Sequence, residues 1–350
     1  MKTLICYSKD NIKLEDRIIS DIGEEEALIK TIFCGLCGSD IVKILDPEVE
    51  KPVKLGHEVV GIVEKVGLKV NKIKKGDVVV VSHHVPCYRC TYCDHKSYSM
   101  CRHFKDTNLD PQGFSEYIRL SSEHIKYNTF VIEDKKIIKN VIFTEPTACC
   151  LRAVERVSVR KNDKVMVVGC GTIGIIFISL FKLLYNASVI AVDIDDKKLD
   201  VAKKFGADIV INSKKEKTVK KVIDSTGSGV DVVELTVTIP STIKMAMDCV
   251  RDGGYIQIFA GPSKNHSIPI DFESLYKREI TMLPSYSATP ETLKKSFNYL
   301  RDYKLNFLPL ISDVLPIEQF KSGLDLALSQ KSFKILYYFN EELIKNSQEK

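Results

Sequence analysis

Lys164-Val165-Met166-Val167-Val168-Gly169-Cys170-Gly171-Thr172-Ile173-Gly174 is a β-branched run that breaks into three glycines with G-x-G-x-x-G spacing. The run reads as a buried strand, and the residues after Gly174 read as a buried helix to about Tyr185. In such a turn Gly169 permits the tight bend, Gly171 lets a pyrophosphate approach the backbone, and Gly174 brings helix against strand. The helix start at Thr172 and Ile173 then offers an anion its N–H groups and the positive end of its dipole. No charged residue occurs between Lys164 and Lys182, a stretch approaching the ~20 apolar residues of a membrane span, but its three glycines argue against that reading. The next strand, Ser188 to Asp193, ends on a carboxylate nineteen residues beyond Gly174. There it accepts hydrogen bonds from adenine ribose hydroxyls and repels a 2′-phosphate, so NAD is expected rather than NADP. Lys198 reads either as support for that ribose site or as a solvated lysine beside Lys197.

Working outward, strand and helix keep alternating after Asp193, with a helix through Phe205 and strands near Ile209, Val232 and Ile256, which predicts a parallel doubly wound sheet. Upstream, to about residue 130, short β-branched runs are punctuated by glycine: Val59 to Val63, Gly76 to Val81, and Phe114 to Leu120 after Gly113. That pattern predicts a β-rich barrel. Thr144-Glu145-Pro146 starts a helix expected to run to about Val157. Beyond Leu283, two amphipathic helices near Thr292–Tyr303 and Ile317–Leu328 precede a closing strand, Phe333 to Phe339. The expected organisation is an α/β chain with residues 1–145 as the barrel, 146–283 as the cofactor domain and 284–350 returning to the barrel, leaving a cleft between the lobes.

Chemistry concentrates at two further places. Cys87, Cys90, Cys93 and Cys101 are spaced so that one loop can wrap four thiolates around a single ion, and a closed tetrahedral thiolate shell is the usual structural zinc site. Cys37, in Gly35-Leu36-Cys37-Gly38-Ser39-Asp40, and His57-Glu58 form the second set. A soft thiolate with an imidazole suits zinc, and three protein ligands with an open position suit catalysis on an alcohol oxygen. Either Glu58 or Glu145 completes that shell, giving two zinc ions per chain. His83, His84, His95 and His103 flank the cysteine loop and are read as ordinary polar or packing residues.

At 350 residues, 44% hydrophobic and 28% charged, the chain is long enough for two globular domains, and neither disorder nor a fibrous class fits. The net charge of +5 is scattered, so no nucleic-acid footprint is expected. The N-terminus carries no apolar stretch of signal length, and Cys6, Cys34, Cys149, Cys150, Cys170 and Cys249 read as buried free thiols, so a cytoplasmic location is expected, with no membrane partner.

Taken in order, the Gly35–Asp40 segment, Gly56-His57-Glu58, the four-cysteine lobe, Glu145-Pro146 and the Gly169 turn resemble the zinc-dependent medium-chain alcohol and polyol dehydrogenases, most of all their sorbitol dehydrogenase-like members. The resemblance implies a GroES-like β-barrel catalytic domain with a Rossmann cofactor domain, and oxidation of a secondary alcohol or polyol to its ketone. It implies Cys37 and His57 as catalytic zinc ligands, Glu145 where polyol enzymes carry a glutamate, and Glu58 as the neighbouring glutamate that binds zinc or replaces its water. Ser39 matches the hydroxyl that takes the substrate proton, and Asp40 the carboxylate that orients His57. A homodimer or homotetramer is implied too. The chain departs from the pattern at Val42, where many relatives relay the proton through histidine, and at Ser285-Tyr286, where sorbitol enzymes present an arginine. Water, Lys43 or the nicotinamide ribose then takes the proton onward. Threonine-type and aminocyclitol dehydrogenases would use the same motifs. A non-catalytic zinc-ribbon and nucleotide-sensing module is the reading of another class, and it leaves Cys37, His57 and Glu58 without purpose.

Overall fold

A computed structural model describes residues 1–19, 21–261 and 268–348. The chain divides into two compact units, Met1–Pro146 with Thr289–Lys350, and Thr147–Ala288.

The first unit is built from short β-branched strands: β1 (Lys2–Ser8), β2 (Asn11–Asp16), β3 (Ala27–Gly35), β4 (Val53–Lys54), β5 (Glu58–Val66), β6 (Val78–Val81), β7 (Tyr117–Leu120) and β8 (Thr129–Ile132). The second unit holds β9 (Lys164–Val168), β10 (Ser188–Asp193), β11 (Ile209–Asn212), β12 (Val230–Leu235), β13 (Val250–Ile258) and β14 (Thr281–Pro284). The chain then returns to the first unit with β15 (Ile311–Pro316) and β16 (Lys334–Tyr338).

In the first unit β1 pairs with β2 and β4, while a larger sheet runs β15-β16-β3-β5-β6-β8, with β7 also on β3. β16 lies antiparallel to β3, so the C-terminal strand completes the sheet that carries the early motifs. The rings of Phe114, Phe320 and Tyr337 meet with centroids 5.0 to 5.5 Å apart at its centre. Tyr337 donates its hydroxyl to the Phe320 carbonyl, which satisfies the one polar atom that ring carries into the core.

In the second unit the parallel order is β11-β10-β9-β12-β13-β14. Strand β9 is buried from Val165 to Val168, as a sheet covered on both faces requires, and the Val165–Phe181 apolar run is the strand plus the buried side of the Thr172–Tyr185 helix. Among the described residues no helix is long and apolar enough to cross a membrane. β14 extends this sheet, and Ser285 N–H still bonds to the Ile258 carbonyl, so the unit continues past Leu283 to Ala288.

One pair in this sheet breaks the apolar pattern. Glu234 on β12 sits in register with Gln257 on β13, both are 0% exposed, and neither side chain finds a hydrogen-bond partner among the described residues. Burial raises the Glu234 pKa well above the ordinary carboxylate value, with no charged neighbour contributing. The unfolded chain ionises at the ordinary value and the folded chain only higher, so folding is penalised as the pH rises through that window. Glu234→Gln, which cannot ionise, is expected to raise the melting temperature more at pH 8 than at pH 4. An equal shift at both, measured by scanning calorimetry, would refute a buried neutral acid.

Candidate active site

The four-cysteine lobe is formed by short helices and their caps rather than by a sheet: Cys90 caps the Thr91–Asp94 helix that holds Cys93, and Cys101 caps the Arg102–Asp106 helix. Sγ–Sγ separations are 3.6 Å for Cys90–Cys93, 3.6 Å for Cys87–Cys101 and 4.0 Å for Cys87–Cys93. A Zn–S bond of about 2.3 Å sets the S–S edge of a tetrahedron at about 3.8 Å, so the four sulfurs already stand at a zinc shell's spacing. All eleven cysteines are free thiols, and the six outside the two metal sets are buried.

The second set forms where β3, β5 and the Gly38–Leu45 helix meet. Ligand atoms of Cys37, His57 and Glu58 all lie within 4.8 Å of one another. Cys37 caps the helix, and His57 precedes β5. Asp40, 0% exposed, ties the two together: it accepts from Cys37 N–H at 3.2 Å and Gly56 N–H at 3.0 Å, and one oxygen stands 3.6 Å from His57 Nδ1. That leaves His57 Nε2 facing Ser39 Oγ at 3.4 Å. Burial opposes a charged His57, yet Asp40 and Cys37 outweigh it and lift the ring's pKa well above the ordinary imidazole value. Burial also opposes the Asp40 charge, and the His57 charge and hydrogen bond overcome it to bring that carboxylate below its usual range. The cluster thus favours a cation, and thiolate, imidazole and carboxylate are zinc donors.

Glu58 carries a partner that the sequence reading missed. Lys334, on β16, donates to both of its oxygens at 2.8 and 2.7 Å and to the Leu36 carbonyl at 3.1 Å, with the side chains 4% and 0% exposed. Burial lowers the Lys334 pKa, but Glu58 and, next, Cys37 outweigh it and raise it above the ordinary lysine value. Gly35 makes room for this pair, since a Cβ there would collide with the Glu58 carboxylate. Glu145 is buried at the start of the Thr144–Arg156 helix, outside the three-residue cluster, and its charge also acts on Lys334. Val42 is exposed on the helix that starts after Cys37.

His83 and His84 lie beside this set as well as beside the cysteine loop. β5 pairs with β6 so that Val59 faces Val81; carried two residues beyond, that register sets His57 opposite His83. Their ring centroids are 4.7 Å apart, and His84 lies tilted against His83 at 3.8 Å.

In the second unit Val168 on β9 stands in register with Val192 on β10, which brings Asp193 beside the glycine turn. Its carboxylate accepts from Cys170 N–H at 2.7 Å and from the Ile194 and Asp195 N–H groups at 2.7 and 3.0 Å. Gly169 has φ +94°, the left-handed region that glycine tolerates, and a Cβ at Gly174 would strike the Gly169 carbonyl. At Gly171 the space is open, as a cradle for a ligand's phosphates must be, and Thr172 and Ile173 open the helix beyond it. Lys198 sits near enough for its charge to act on Cys170.

Residues 23–128 match the alcohol dehydrogenase GroES-like domain and residues 172–301 the zinc-binding dehydrogenase domain. The chain is 28% identical over 350 residues to sorbitol dehydrogenase of Bacillus subtilis strain 168, covering 97% of this chain and 98% of that one. It is 28% identical over 348 residues to L-threonine 3-dehydrogenase of Caldanaerobacter subterraneus subsp. tengcongensis, covering 95% and 96%. Galactitol-1-phosphate dehydrogenase from Escherichia coli superposes with a TM-score of 0.83 at 25% identity, over 97% of this chain and 100% of that one. With both domains matched in this order and the relatives aligned from end to end, the chain belongs to the zinc-dependent medium-chain dehydrogenase/reductase superfamily and is a dehydrogenase.

Proposed function

We propose that the chain interconverts a secondary alcohol of the polyol class and its ketone, with zinc at Cys37 and His57 and NAD on the Gly169 turn. The observation that carries this reading is the convergence of Cys37, His57 and Glu58 ligand atoms within 4.8 Å, oriented by a fully buried Asp40. Zinc supplies Lewis acidity that lowers the pKa of the substrate hydroxyl, and NAD supplies the hydride acceptor. The 3.4 Å approach of Ser39 Oγ to His57 Nε2 supports Ser39 as the first acceptor of the hydroxyl proton. Val42 has no group to take that proton onward, so water, Lys43 or the nicotinamide ribose does. Glu58 already accepts from Lys334 through both oxygens, and Glu145 is the other carboxylate able to complete the shell. Asp193 supports NAD over NADP, with Lys198 beside it, and the sulfur spacings of Cys87, Cys90, Cys93 and Cys101 support a second, structural zinc.

The sorbitol and galactitol-phosphate enzymes among the relatives support a polyol substrate. The threonine enzyme, equally identical to this chain, makes L-threonine the second substrate to test. For assembly, the edge of β14, which pairs with no further strand among the described residues, supports a homodimer or homotetramer. Metal analysis of the purified protein should give two zinc ions per chain. Chelation should abolish NAD reduction with polyols while NADH fluorescence still reports cofactor binding; full activity in metal-free protein would overturn the mechanism.

A further inference from the structure

We propose that His83 is a specificity-determining residue of this site: its imidazole hydrogen-bonds a substrate hydroxyl beside the carbon that loses hydride, and so selects polyhydroxylated over monohydroxy alcohols. The inference rests on the alcohol dehydrogenase reading above and goes beyond it by assigning a recognition contact.

The ring is held as a ligand-binding group would be. It lies between His57, at 4.7 Å, and His84, at 3.8 Å, and His84 in turn packs at a tilt against Phe104 at 4.9 Å. Its own carbonyl and the backbone that follows are pinned by side chains: His124 Nε2 donates to the His83 carbonyl at 2.8 Å, Asn128 Nδ2 to the His84 carbonyl at 2.6 Å, and Val85 N–H donates to Thr107 Oγ1 at 3.0 Å. His84 is fixed as well, with Nδ1 2.6 Å from the Thr107 carbonyl. His83 differs from these neighbours in one respect. Neither of its ring nitrogens has a hydrogen-bond partner among the described residues; Nδ1 is sealed from solvent, while the residue as a whole is only half-buried.

Packing does not account for such a residue. A phenylalanine would fill the same slot in the stack with no polar atom to desolvate, and unsatisfied buried nitrogens are uncommon enough to need a reason. A substrate hydroxyl can both donate and accept, so it satisfies an imidazole nitrogen in either tautomer. A polyol bound through one hydroxyl at the Cys37–His57 cluster carries its next hydroxyl one carbon away, on the side where the His83 ring packs against His57. A monohydroxy alcohol has nothing to offer it.

The test compares kcat/KM for D-sorbitol and D-arabitol with that for 2-butanol and cyclohexanol, in wild type, His83→Phe and His83→Asn, each checked for zinc content and NADH binding. His83→Phe should lower kcat/KM for the polyols by about 10- to 100-fold and leave the monohydroxy alcohols within about 3-fold. His83→Asn, which keeps a donor and an acceptor, should recover part of the polyol rate. Equal losses on both classes, with zinc and NADH binding intact, would overturn the role of His83 and leave the dehydrogenase reading standing. A zinc-loaded wild type that reduces NAD with none of these alcohols would overturn that reading, and the role of His83 with it. Should His83→Phe fail to bind zinc, the decision passes to His83→Asn and His83→Gln: an unchanged ratio between the two substrate classes in both overturns the proposal.

Discussion

Replacing Lys334 with methionine is expected to lower the free energy of unfolding of the first unit by about 3–5 kcal/mol, read from urea denaturation. The size follows from what is left behind. Glu58 is 0% exposed and both of its oxygens are held by one ammonium, so removing Lys334 strands a carboxylate in the protein interior. Removing both charges is a different matter: Lys334→Met with Glu58→Leu should recover most of the loss, because the pair's mutual attraction mainly offsets its own desolvation. The pH dependence has a definite sign. The folded-state pKa of Lys334 is raised, so the pair's contribution is complete below the ordinary lysine value near 10.5 and fades only as the pH climbs through the higher folded value. The stability gap between wild type and Lys334→Met should therefore be flat from pH 7 to about 10 and narrow above that. A loss below about 1 kcal/mol at pH 7 would show the pair to be effectively solvated.

Lys334 also shows what kind of feature the sequence conceals. The glycine turn and the four-cysteine loop are local: their partners lie within a few residues, and spacing alone states their geometry. Asp193 was legible because a βαβ unit has a predictable length, which returns the end of the second strand to the turn. Lys334 and Glu58 are 276 residues apart and meet because β16 pairs with β3 and β3 with β5. The one sequence signal was a lysine between Phe333 and Ile335 in the closing strand, which ought to have raised the question of a counter-charge. His83 was hidden for the same reason. It precedes Cys87 by only four residues, which sorted it with the cysteine loop, whereas the register of β5 on β6, which no single-chain periodicity reveals, sets it opposite His57. The second unit runs to Ala288, where the four-residue β14 extends the sheet by pairing with β13.

Cys37→Ala should remove one zinc of two and cut kcat/KM for the best alcohol by at least about 10³-fold, since several kcal/mol of stabilisation of developing negative charge disappear with the metal. Asp40→Asn separates holding the metal from using it. Asp40 touches no substrate; it fixes the Cys37 and Gly56 N–H groups and faces His57 Nδ1. An amide in its place keeps most of the shape but loses the charge that draws a cation to the cluster, so zinc affinity should fall about 10- to 100-fold. Added zinc should then restore the Asp40→Asn rate toward wild type while leaving Cys37→Ala inactive. The four-thiolate lobe supplies the internal control: its sulfurs depend on none of these residues, so each variant should keep one tightly held zinc and a cooperative unfolding transition. If Cys37→Ala retained both metals and most of its rate, the cluster at His57 would not be the catalytic centre. If Asp40→Asn lost activity that saturating zinc did not restore, the carboxylate would be acting on the chemistry itself rather than on the ligands it orients.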